Sequence, residues 1–114
     1  MKYLALIFIF YLPMLSFGQS QDEMNKEAYD SFLKADKELN VVYKKLIVLL
    51  DKDAKDLLIK AQRDWIKFRD SHSEFVKKSC NGGSITYLSY YTSLENKTTE
   101  RIKDLNVIIQ DYLR

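Results

Sequence analysis

The chain has 114 residues, enough for one domain, and its 30% charged and 46% hydrophobic side chains exclude both a polytopic membrane protein and a disordered tail. One proline and three glycines exclude most all-β designs, whose hairpins need Gly, Pro, Asn and Asp at many turns. A net charge of +2 gives no electrostatic reason to expect nucleic acid, and one His with one Cys cannot build a multi-ligand zinc site or a disulfide framework.

Residues 1–18, MKYLALIFIFYLPMLSFG, carry one charge at Lys2, then an apolar run from Tyr3 to Leu15 and small residues at Ser16 and Gly18. This is the pattern of a secretory signal peptide cut near Gly18–Gln19, and the run is short for a spanning helix. An uncleaved anchor is the alternative, but charges begin at Asp22 and no basic stop-transfer cluster follows. On this reading residues 19–114 form one exported domain, periplasmic or secreted, without a membrane span. That segment contains no proline, and its only glycines are Gly82 and Gly83. Export also places Cys80 in an oxidising compartment with no partner in its own chain, as a free thiol or an intermolecular link.

The first helical stripe runs Met24, Ala28, Phe32, Ala35, Leu39, Tyr43, Leu46 and Leu50, in steps of three and four. The second runs Leu57, Leu58, Ala61, Trp65, Phe68, Phe75 and Val76. The phase continues through Asp51-Lys52-Asp53, so periodicity alone permits a single helix over 23–79. Such a helix would be about 85 Å long and would need an oligomer to cover its stripe. Asp51 or Asp53 can instead cap a new helix, with Asp56 following Asp53 as in a capping box, which predicts a turn at 51–53.

Ser79-Cys80-Asn81-Gly82-Gly83-Ser84 reads as a loop, in which Gly82 or Gly83 takes the left-handed conformation and Ser84 caps the next helix. The third stripe is Ile85, Leu88, Leu94, Ile102, Leu105, Ile109 and Tyr112. The expected fold is all-α, an antiparallel three-helix bundle made of a helical hairpin plus a third helix.

Sites of chemistry are scarce. There is no phosphate-binding glycine loop and no HExxH or ExxH pair, and His72 lies between Phe68 and Phe75 as a boundary or core imidazole. The carboxylates interleave with lysines at helical spacing, as on a solvated face. The sequence therefore predicts neither catalysis nor a metal or other cofactor. The sequon Asn96-Lys97-Thr98 falls inside a predicted helix and carries little weight. Tyr87, Tyr90 and Tyr91 cannot all face one core, so at least one ring is left as an interface anchor.

Two segments are richer than amphipathicity demands: Ala35-Asp36-x-x-Leu39-Asn40-x-x-Tyr43, and Leu57 through Ala61-Gln62-Arg63-x-Trp65-x-x-x-Arg69-Asp70. With Gly82-Gly83-Ser84 and Thr98-x-x-Arg101-x-x-x-Leu105 in the same order, they resemble the LprI-like lysozyme-inhibitor domain family over residues 24–108. The resemblance implies a small exported helical protein that is not an enzyme and binds lysozyme or another envelope protein. The rival reading is an envelope structural or interaction module without inhibitory activity.

The motif side chains also have a physical reading. Asp36, Asn40, Gln62, Arg69, Thr98 and Arg101 can form a polar network that crosses the helices and fixes their register. Trp65 is its buried anchor, and Arg63 and Asp70 are further pairing groups. The corner Gly82–Gly83 with Tyr87, Tyr90 and Tyr91 is the candidate partner-binding surface. Relatives often carry cysteines near the positions held here by Glu27, Ser73 and Ser93, so this chain lacks the staples that the resemblance implies.

Overall fold

The computed structural model describes residues 19–114, so the signal-peptide reading of 1–18 lies outside the described residues. Three helices follow one another: α1 (Gln21–Ile47), α2 (Lys52–Ser79) and α3 (Thr86–Leu113). Each begins and ends for local reasons. Ser20 is extended and its Oγ accepts from the Glu23 amide at 3.1 Å. Acids in the first turn of α1 (Asp22, Glu23) and lysines in its last (Lys44, Lys45) suit the helix dipole.

The chain turns over Val48–Leu50 and restarts at Asp51, whose carboxylate accepts from the Ala54 amide at 2.9 Å. The expected hairpin is present, with its turn slightly earlier than 51–53. Asp51 takes the cap, and Asp53 lies inside the first turn, where negative charge still favours the exposed amides.

The second corner is tighter. Asn81 (φ 51°) and Gly82 (φ 73°) are both left-handed. Glycine adopts this conformation without a steric penalty, and asparagine tolerates it. The expected cap at Ser84 is not formed. The chain makes one more turn, Thr86 Oγ1 donates to the Gly83 carbonyl at 2.6 Å, and α3 starts behind Ile85 without a side-chain cap.

Tyr29 meets Tyr91 near the starts of α1 and α3, and Leu39, Val42 and Leu46 share a cluster with Ile102, Leu105 and Ile109 near their ends, so these helices run parallel. On α2, Gln62 pairs with Arg101, Arg69 with Thr98 and Ser73 with Ser93, so α2 is antiparallel to both. The close backbone approaches are those of α3 to α1 and of α3 to α2; α1 and α2 meet mainly through side chains. The fold is therefore an all-α up-down-up bundle with α3 shared by its neighbours.

Burial follows the first and third stripes. Ala28, Ala35, Leu39 and Leu46 are buried together with Val42, as are Leu94, Ile102, Leu105 and Ile109, while Ile85 and Tyr112 are exposed. The second stripe is displaced. Leu57, Ala61, Phe68 and Phe75 face solvent, Leu58, Trp65 and Val76 are half-buried, and the fully buried positions of α2 are Gln62, Arg69 and Ser73. The α1–α3 pair supplies most of the apolar core. α2 lies over it through Leu58, Trp65 and a set of polar groups that are costly to bury unless hydrogen-bonded.

Candidate functional site

The polar crossing centres on Arg69, which projects from the middle of α2 and is 8% exposed. Its Nε donates to Asp70 at 3.0 Å and its Nη1 to Asp36 on α1 at 3.1 Å, with a longer contact to Thr98 Oγ1 on α3 at 3.5 Å. Thr98 is fully buried and donates its own hydroxyl to the Leu94 carbonyl at 2.7 Å, which leaves its oxygen free to accept. The same guanidinium lies 5.2 Å from the ring centroids of both Phe32 and Trp65. One side chain thus ties three helices together.

Arg101 on α3 makes a second crossing. Its Nε donates to Gln62 at 2.9 Å, and its guanidinium lies 5.8 Å from Trp65, so the half-buried indole has two guanidiniums within 6 Å of its ring centroid. Burial pulls the Arg101 pKa below its ordinary value and Asp104 opposes that pull; a guanidinium remains charged throughout. Among the described residues no buried side-chain nitrogen or oxygen lacks a hydrogen-bond partner. Asn40 and Arg63 are exposed, outside this crossing, while Asp70 belongs to it from a partly exposed position.

Nearer the corner, Ser73 Oγ and Ser93 Oγ lie 2.9 Å apart, joining α2 to α3 by a hydroxyl pair, with Ser73 fully buried. Cys80 is a half-buried free thiol whose Sγ approaches the Val76 carbonyl at 3.5 Å.

The corner itself is aromatic, with Lys77, Lys78 and Glu74 beside the rings. Tyr91 is the hub, 5.3 Å from Tyr90, 6.3 Å from Tyr87 and 5.2 Å from Tyr29. Lys77 Nζ stands 5.1 Å over Tyr87 and 5.4 Å over Tyr90. Tyr87 is 51% exposed and Tyr29 42%, whereas Tyr90 and Tyr91 are half-buried. Burial raises the Tyr90 pKa, and the negative charges of Glu74 and Asp70 raise it further.

A groove of about 400 Å³ beside the rings is lined by Glu74, Lys77 and Lys78 of α2, by Asn81, Gly82 and Gly83 of the turn, and by Thr86 and Tyr87 of α3. Gly83 is held close: a Cβ there would sit 3.2 Å from the Cys80 carbonyl, to which its own amide donates at 3.0 Å. Tyr29 and Lys77 belong to this surface although nothing in their local sequence marks them. They join it only because α1 begins and α2 ends beside the start of α3.

Among the described residues no group of three or more His, Cys, Asp or Glu side chains is placed to hold a metal ion, and no helix is long and apolar enough to cross a membrane. His72 is half-buried between Phe68 and Phe75, 5.6 and 6.3 Å from their ring centroids.

A family model described as lysozyme inhibitor LprI matches residues 16–105. No curated protein and no solved structure matches the chain.

Proposed function

The chain belongs to the lysozyme inhibitor LprI family, and from that premise we propose that it is an exported, non-enzymatic protein that blocks a lysozyme with the corner between α2 and α3. The observation that carries this reading is the corner's composition: a narrow Asn81–Gly82 turn beside Lys77, Lys78 and exposed Tyr87. A lysozyme cuts its substrate between two carboxyl groups set in a cleft. Lysine ammoniums beside a thin turn offer complementary charge there, and tyrosine supplies apolar area with a polar tip. The chain's net charge of +2 provides no long-range pull on a basic lysozyme, so recognition depends on this local match.

The Arg69 and Arg101 crossings serve as the scaffold behind the surface, since they join the helices to one another through Asp36, Thr98 and Gln62. The reading is tested by titrating the purified protein into a lysozyme turbidity assay with a Lys77→Glu, Lys78→Glu variant alongside. The protein is expected to slow lysis and the variant to inhibit about tenfold less. Undiminished lysis at large molar excess, across several lysozyme types, sinks the inhibitor reading. Equal inhibition by the variant would move the contact elsewhere.

A further inference from the structure

A second groove, of about 550 Å³, runs along the seam between α2 and α3 and belongs neither to the polar crossing nor to the corner. Its floor is apolar, built from Val76 of α2 and Leu88 of α3, both half-buried. Its α3 wall is polar. Ser89, Thr92 and Asn96 follow one another at steps of three and four, so two hydroxyls and an amide line the opening over about 11 Å of helix.

These polar groups are not spent on the bundle. Ser79 and Thr98 return their hydroxyls to the carbonyl one turn earlier, whereas the side chains of Ser89, Thr92 and Asn96 take no partner among the described residues. At the far end Lys97 and Glu100 pair at 3.5 Å, so their charges cancel. On the α2 side His72 leads outward to Phe75, whose ring centroid is 6.3 Å away and which is 67% exposed.

We propose that this groove binds a short, uncharged oligosaccharide, with N-acetylated sugars as its best occupants. Hydroxyls and a carboxamide both donate and accept, which is what a row of sugar hydroxyls needs. The Val76–Leu88 floor takes an acetamide methyl, and the exposed phenyl ring takes an apolar C–H face of a sugar. Other ligands fit less well. An anion would meet Glu100, a lipid chain would bury the polar wall without partners, and an extended peptide would find no open sheet edge between two helices. Sugar binding here uses side chains other than those of the inhibitory corner, although a glycan is also what a lysozyme cuts.

Titration of triacetylchitotriose into ¹⁵N-labelled protein, followed by amide chemical shifts, tests this, with cellotriose as the sugar that lacks acetamides. Saturable shifts are expected over residues 88–97 and at His72 and Val76, with a Kd of about 1 mM, as suits an open groove. Cellotriose should bind about fivefold more weakly or worse. Asn96→Ala and Phe75→Ala should each weaken binding by about threefold or more and leave the helical circular dichroism unchanged, since both side chains are exposed.

Absence of saturable shifts at about 10 mM triacetylchitotriose overturns the proposal. Shifts confined to the corner residues Gly82 to Tyr87 overturn it too, as does an affinity indifferent to both variants. Equal binding of cellotriose overturns the role of the Val76–Leu88 floor as an acetamide seat. The Lys77→Glu, Lys78→Glu variant should bind the sugar as the unchanged protein does, so failure of the inhibitor reading and failure of this one are told apart.

Discussion

Arg69 shows at the scale of one residue why the polar motif is placed where it is. Its guanidinium meets Asp36, Asp70 and Thr98 and stacks near Phe32 and Trp65, a geometry that needs a planar fork. Arg69→Ala is therefore expected to destabilise the fold by about 2–3 kcal/mol in urea unfolding, and Arg69→Lys to recover less than half of that loss. A loss below about 0.5 kcal/mol would show that the crossing is ornamental.

Tyr90 gives a pH signature. Its folded pKa is raised, chiefly by burial, so the folded state holds the phenolic proton more tightly than the unfolded chain does. Its contribution is present below the unfolded value near 10 and fades as pH rises through the folded one. Tyr90→Phe should accordingly flatten the fall in thermal stability above about pH 10. Most motif residues were legible in sequence because arginine, aspartate and glutamine within an apolar stripe demand partners. Asn40 and Arg63 share the same segments but point outward, a distinction that depends on helix rotation.

At the scale of the element, helix periodicity marked all three helices but chose the wrong face of α2. Leu57, Ala61, Phe68 and Phe75 keep helical spacing as well as Leu58, Trp65 and Val76 do, and only the buried Gln62, Arg69 and Ser73 show which set faces inward. A buried face made of hydrogen-bonded polar groups is invisible to an apolar count. The turn at Asp51 was legible through its capping chemistry, whereas the absent Ser84 cap was not, because Thr86 satisfies the Gly83 carbonyl from inside the next helix.

The Ser73–Ser93 contact yields a test of the α2–α3 register. Ser73→Cys with Ser93→Cys, in a Cys80→Ser background, should oxidise to a disulfide seen as faster migration on a non-reducing gel. Closing a loop of 20 residues should raise stability by about 3 kcal/mol. Failure to crosslink under mild oxidation would contradict the register.

At the scale of the whole molecule, the bundle has no symmetrical division of labour. α3 packs closely on both neighbours, while α1 and α2 reach each other through bridges such as Asp36–Arg69. The hairpin of α1 and α2 therefore has little to hold it together alone, although each helix has a good cap. A chain ending at residue 85 should lose most of its far-ultraviolet helical signal, and a synthetic peptide of residues 86–114 added in excess should restore part of it. Full helicity in the truncated chain would mean that the hairpin is self-sufficient.

Because α3 follows both of its packing partners in the chain, the order of synthesis and the order of packing are opposed. Leu39, Val42 and Leu46 wait for Ile102, Leu105 and Ile109, and Arg69 waits for Thr98. Until this 28-residue helix has emerged, α1 and α2 have no closed core to collapse into. Up to that point the two helices stay loosely joined and threadable, and the arrival of α3 is what turns them into a rigid object.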